Sequence, residues 1–139
     1  MSAEGRLYLD SSAIVKLAIE EPESAALRRA LRGTNALSSC ALAMVEVAHA
    51  VAPHGEDALL RAQSLLAAFE LARLDEDLIE RAAALARGAL RTLDALHLAA
   101  ASAMAEDLGA LVTYDRRMAQ AARGLGLRVR MPGAGRVTR

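Results

Sequence analysis

Short apolar runs that stop at a polar residue alternate, along the whole chain, with longer stretches whose apolar positions fall three and four apart. The first run, Leu7-Tyr8-Leu9, is too short and too apolar to keep a solvent face, so it reads as a strand inside a sheet covered on both sides. Asp10 stands at its carboxyl end. Ser11 or Ser12 can cap a helix starting at Ala13, because a serine hydroxyl accepts from the unpaired first-turn amides. That helix breaks near Glu20-Glu21-Pro22, and Pro22 suits the first turn of a second helix running to about Leu31.

Asn35 to Ser38 is predicted as a second strand, and Ser39 as the cap of a helix from Ala41 to Val51 that ends at Pro53-His54-Gly55. A fourth helix, about Asp57 to Ala68, leads into a weak strand around Phe69 to Arg73. Asp75 caps a helix from Glu76 to about Arg87, where Gly88 loosens the end, and Thr92 caps the next, Leu93 to Leu108, stopped by Gly109. Leu111-Val112-Thr113 forms a fourth strand, Arg116 to Arg123 a last helix ending at Gly124, and Arg128 to Met131 a final strand. Strands alternating with helices predict an α/β fold: a three-layer α/β/α arrangement around a mostly parallel sheet of four to five strands. No repeat or linker divides residues 1–139, which read as one domain with a tail from about residue 132.

Composition adds a large core. The hydrophobic share is 54% and the mean hydropathy +0.21, yet no run approaches the roughly 20 apolar residues of a membrane span. The start, Met1 to Gly5, lacks a basic region followed by an apolar stretch, and Cys40, the single cysteine, cannot form an internal disulfide; a cytoplasmic protein is expected. The formal net charge is zero, but Arg116 to Arg139 holds seven arginines and no acid, while Glu70 to Glu80 is acidic. A basic face and simple solubility both account for this. Aromatics are so few (Tyr8, Phe69 and Tyr114) that a base-stacking platform is excluded; any nucleic acid must be held through phosphate and metal contacts.

Four acids then stand out. Glu46 lies in a helix that is apolar almost all round, where an unpaired carboxylate is costly; Asp94 falls in the first turn of its helix; Asp115 repeats, after Leu111-Val112-Thr113, the strand-end position of Asp10. Each has an ordinary explanation as a surface acid, a macrodipole partner or a cap. Together they mean more. If the strands ending at Asp10 and Asp115 are neighbours where strand order reverses, both acids face one crevice, and the helices bearing Glu46 and Asp94 can reach it. Like charges about 4 Å apart repel by roughly 4 kcal/mol at an effective dielectric near 20, so such a cluster calls for a cation. Oxygen-only ligands favour Mg2+ or Mn2+ over zinc.

At these residues the sequence resembles the PIN-domain ribonucleases of the VapC toxin type. The family's strand-end Asp context is matched by Leu9-Asp10-Ser11-Ser12-Ala13-Ile14-Val15-Lys16-Leu17, and its helical Glu after a serine-bearing strand end by Ser38 through Glu46. Its Leu-Asp-Ala-Leu-His-Leu-Ala segment is matched by Leu93 to Ala99, and its Thr-Tyr-Asp-Arg-Arg segment by Thr113 to Arg117, followed by Ala121-Ala122 and Leu125-Gly126-Leu127. The resemblance implies a PIN-like fold and a Mg2+-dependent endoribonuclease, with Mn2+ able to substitute, that is the toxin of a type II toxin-antitoxin pair. By carry-over, Asp10 and Asp94 are the principal metal ligands, with Glu46 and Asp115 completing the site. It also implies a homodimer, forming a heterotetramer or larger assembly with a small antitoxin that occupies a hydrophobic groove between helices and approaches the acidic site.

Lesser roles stay open. Ser12 either positions water or caps a helix, Thr113 is a candidate for supporting the site from behind, and His97 is read as a packed or supporting histidine rather than a ligand or base. Arg91, Arg116 and Arg117 either meet RNA phosphates or are solvated. Lys16 is expected to snorkel from its helix and Cys40 to lie in the core. Two other classes compete: a non-catalytic PIN-like RNA- or protein-binding module, and a phosphoacceptor receiver-like domain, for which Lys16 is misplaced.

Overall fold

A computed structural model describes residues 5–88 and 90–134. Five strands, β1 (Arg6–Leu9), β2 (Leu37–Cys40), β3 (Glu70–Ala72), β4 (Leu108–Val112) and β5 (Val129–Arg130), form one sheet in the order β3-β2-β1-β4-β5, with every pairing parallel. Between them run helices α1 (Ser11–Ala18), α2 (Ser24–Ala30), α3 (Leu42–Val51), α4 (Glu56–Ala67), α5 (Glu76–Leu85), α6 (Thr92–Ala103) and α7 (Arg116–Gly124), with a short 3-10 turn at Ala52–His54.

Strand alternation sorts the core into two layers. Leu7, Leu9, Ala110 and Val112 point to one face of the sheet, where they pack with Ile14 of α1, Leu27 of α2, Val47 of α3 and Ala62 of α4. Tyr8, Leu111 and Cys40 point to the other, against Leu78 of α5, Leu98 of α6 and Met118 of α7. Both faces are covered, which is why the central strands carry no solvent-facing side chain: Leu7, Tyr8, Leu9, Leu111 and Val112 are all buried. The three-layer α/β/α expectation holds, and the sheet has five strands.

Connectivity runs outward from β1 to β2 and β3, then crosses back over α5 and α6 to β4 on the other side of β1. The order therefore reverses between β1 and β4, whose ends pair Leu9 with Val112. Asp10 and Asp115 follow these two ends.

Several local expectations shift. The cap of α1 is Asp10, whose carboxylate accepts from the Ala13 amide, so the helix begins at Ser11 and both serines turn to other partners. Ser39 lies within β2, and α3 starts after Ala41 without a side-chain cap. Pro22 sits in the turn before α2, which begins at Ser24, where a buried hydroxyl accepts from the Glu21 amide and donates to the Lys16 carbonyl. Thr92 is the first residue of α6 rather than its cap, and α6 stops at Ala103 as Met104 to Asp107 tighten into turns. Gly109 is inside β4, at the bulge where the register skips from Arg6 opposite Leu108 to Leu7 opposite Ala110; a glycine suits such a break. Asp75 and Asp115 cap α5 and α7 as expected. The proposed tail is described only as far as residue 134; residues 135–139 lie outside the described residues.

Candidate active site

Asp10 leaves β1 at the reversal point and is 3% exposed. Its two carboxylate oxygens are both committed. Oδ1 accepts from Ser12 Oγ at 2.7 Å and the Ala13 amide at 3.1 Å, and Oδ2 accepts from Thr113 Oγ1 at 2.5 Å. The two hydroxyls in turn accept from the next loop: Tyr114 N donates to Ser12 Oγ at 2.9 Å, and Asp115 N to Thr113 Oγ1 at 3.0 Å. Ser12 and Thr113 therefore bind the β1–α1 junction to the β4–α7 junction. Burial pushes the Asp10 carboxyl above its ordinary range, against the pull of His97 and of its three donors.

Asp115, at the matching place after β4, caps α7 through Oδ1, which accepts from Arg117 N at 2.9 Å and Met118 N at 3.1 Å. Asp94 lies in the first turn of α6 and is partly exposed. Its carboxyl is held above the usual range by desolvation, then by the negative charges of Asp115 and Asp10, with His97 and Arg91 pulling the other way. These three aspartates share one field.

Glu46 projects from α3 and is tied from two sides. Ser11 Oγ and His97 Nε2 both bond its Oε1, the histidine at 2.7 Å. Burial raises its carboxyl, but these hydrogen bonds and the histidine outweigh burial and leave it below the ordinary value. His97, one turn beyond Asp94 on α6, is 2% exposed, and its other ring nitrogen, Nδ1, bonds the Tyr8 hydroxyl at 2.7 Å. It is packed, with both ring nitrogens hydrogen-bonded. Tyr8 and Ser11 were not singled out for this role in the sequence; the only signal was an aromatic in an otherwise aliphatic strand and a second serine beside the first.

Arg91 precedes α6, and Arg116 and Arg117 occupy the exposed first turn of α7. Among the described residues none of the three pairs with a carboxylate, and Arg117 lines a groove of about 300 Å3 with Arg87 and Gln120. Lys16 does not reach into solvent alone: it bonds Glu21 at 3.0 Å and Glu23 at 2.8 Å and lies over the Tyr114 ring. A groove of about 780 Å3 at the opposite end of the sheet, lined by Gly5, Asp107 and Arg128, contains none of the four acids.

The PIN domain family model matches residues 7–124. Over 126 residues the chain is 50% identical to ribonuclease VapC46 of Mycobacterium tuberculosis, covering 91% of this chain and 97% of that protein. The chain belongs to the PIN-domain VapC family. Ribonuclease VapC47 of the same species is 39% identical over 134 residues, covering 92% of this chain and 98% of that protein. The crystal structure of Mycobacterium tuberculosis VapC20, described as a sarcin-ricin loop cleaving toxin, matches with a TM-score of 0.70 over 83% of this chain and 94% of that chain. At 16% identity that likeness shows the fold alone. Membership removes the receiver-like reading, and the only lysine is held by Glu21 and Glu23.

PIN-domain ribonucleases of this kind are metal dependent. Among the described residues, no three acidic, histidine or cysteine side chains stand close enough to hold an ion directly. The donor set nevertheless fits a hard divalent cation: the site offers carboxylates and hydroxyls, and the mutual repulsion on Asp94 is what a cation relieves. Magnesium in particular keeps several waters and takes only one or two carboxylates. An open acid cluster, not a closed cage, matches that habit.

Proposed function

We propose that this chain is the toxin of a type II toxin-antitoxin pair, a Mg2+-dependent endoribonuclease that hydrolyses RNA phosphodiester bonds in the cytoplasm. The observation that carries the reading is the reversal point itself, where Asp10, Asp94 and Asp115 share one field and Glu46 is braced alongside. Asp10 and Asp94 are the residues to hold the cation, with Glu46 and Asp115 supporting; Mn2+ would satisfy the same oxygens. The ion would activate water and stabilise charge on the phosphodiester oxygens. Glu46 or Asp115 orients the attacking water, which adds to phosphorus in line with the departing oxygen. Ser12 and Thr113 hold Asp10 still, and Arg91, Arg116 and Arg117 hold flanking phosphates.

The test uses the full chain and total cellular RNA, with cleavage ends mapped by sequencing in Mg2+, in Mn2+ and in chelator. Discrete cuts that need the cation and vanish in Asp10→Asn and Asp94→Asn are expected. Cleavage retained in both variants would sink the assignment, and RNA retention without cleavage by the wild type would favour a non-catalytic PIN-like module.

An apolar groove of about 350 Å3 between α3 and α4, lined by Met44, Ala48, Leu59 and Leu66, supports an antitoxin partner. Met44 and Val45 are 55% and 69% exposed, a large apolar cost for an unpartnered helix. Co-expression with a neighbouring small reading frame encoding a DNA-binding domain and a short helical tail should yield a stable complex of inhibited enzyme. A homodimer is expected for the chain by itself, to be read from its mass by ultracentrifugation.

A further inference from the structure

Hydrogen-bond counting around His97 assigns directions that distances alone leave open. A carboxylate can only accept, so the 2.7 Å contact with Glu46 requires a proton on His97 Nε2. The same Nε2–H passes 3.3 Å from Ser11 Oγ, which uses its own hydrogen on Glu46 Oε1. In the neutral imidazole with Nε2 protonated, Nδ1 is the acceptor, and the Tyr8 hydroxyl 2.7 Å away is the donor. The ring of Tyr8 meets that of His97 edge to face at 5.8 Å, so the imidazole plane is set as well as its tautomer.

We propose that Tyr8 is a positioning residue for catalysis: by holding the His97 ring through Nδ1 and an edge-to-face contact it fixes Glu46 by one carboxylate oxygen and leaves the other to the reaction. Glu46 Oε1 takes both donors, Ser11 and His97, while Oε2 takes none among the described residues. The side chain is 22% exposed, so the free oxygen remains within reach of water. Glu46 stands on a helix separate from the three aspartates, and its orientation depends on this chain from the sheet. The kinetic half of this inference rests on the ribonuclease reading; the tautomer does not.

The experiment is long-range proton-nitrogen NMR on the imidazole of His97 in the full-length protein, with kcat and KM measured on an RNA oligonucleotide carrying a mapped cleavage site. The wild type should show the proton on Nε2 alone, and Tyr8→Phe the same tautomer with the Nδ1 resonance shifted by loss of its hydrogen bond, kcat lowered roughly tenfold to a hundredfold and KM nearly unchanged. A second pair of variants covers the case in which Tyr8→Phe fails to fold. His97→Gln keeps an amide donor where Nε2 stood and should retain most of kcat, whereas His97→Asn places its amide where Nδ1 stood and should not. Protonation on Nδ1 in the wild type, unchanged kcat in Tyr8→Phe, or equal kcat in the two His97 variants overturns the proposal. Absence of wild-type cleavage with the Nε2 tautomer present overturns the ribonuclease reading instead.

Discussion

The two strand-end junctions on either side of the reversal point use the same local grammar and reach different ends. Each places an aspartate after an apolar strand, and each aspartate caps the following helix. Asp10 is buried with both oxygens committed, whereas Asp115 is partly exposed and caps through Oδ1 alone. The difference comes from the hydroxyls. Ser12 and Thr113 both turn toward Asp10 and accept from the amides of the β4–α7 loop, so one junction is built around the other's carboxylate. A cap explains Asp115 in full; it explains only one of the three bonds to Asp10.

The sharpest way to break this comparison is catalytic. Asp10→Asn keeps the size and the capping oxygen but removes the charge, and cleavage should fall by more than about a hundredfold, beyond what outer partners of a metal ligand cost. Asp115→Asn should cost only about tenfold if its role is supporting. Equal losses in RNA cleavage assays would erase the distinction between the junctions.

Stability separates them next. Asp10→Ala removes a cap and leaves the buried Thr113 hydroxyl and the partly buried Ser12 hydroxyl without their acceptor, so urea unfolding should show a loss of about 2–3 kcal/mol. Asp115→Ala removes a cap alone and should cost about 1 kcal/mol.

The acids also divide by the sign of their pH dependence. Asp94 has its carboxyl raised above the ordinary 3.8, so the native state binds more protons than the unfolded one through that window, and stability falls as pH rises. Glu46 has its carboxyl lowered from 4.5; the stability it contributes is present above that value and is lost as pH falls through the native one. In chelator at neutral pH, Asp94→Asn should therefore melt higher than the wild type and Glu46→Gln lower. The Asp94 gain should disappear below about pH 4 and stay under about 1 kcal/mol, because the partly exposed group is screened by solvent. Melting temperature against pH for the three proteins checks both signs.

Much of this was legible in the chain because the fold writes its periodicity openly. Leu7 to Leu9 and Leu111 to Val112 could only be strands covered on both faces, and Asp10 and Asp115 then fell at their ends. Four acids in order, with their flanking segments, also named the family. What escaped was the partner choice of small polar groups. Whether Asp10, Ser11 or Ser12 caps α1 turns on which oxygen reaches Ala13 once Thr113 is alongside, and Thr113 is a hundred positions away in sequence. Likewise, nothing near Tyr8 announces His97; the sheet and α6 must be packed before one hydroxyl meets one ring nitrogen.

The central claim, that Asp10, Glu46, Asp94 and Asp115 serve one cation, is tested most directly by thermal unfolding of the wild type and Asp94→Asn in chelator and then in excess Mg2+ or Mn2+. An ion that binds only the folded state stabilises it by about 2.7 kcal/mol at a hundredfold excess over its dissociation constant. The account predicts a higher melting temperature with metal for the wild type, little change for Asp94→Asn, and a metal-free mutant more stable than the metal-free wild type. A wild type whose melting temperature ignores both ions, or a mutant that responds as the wild type does, would contradict it.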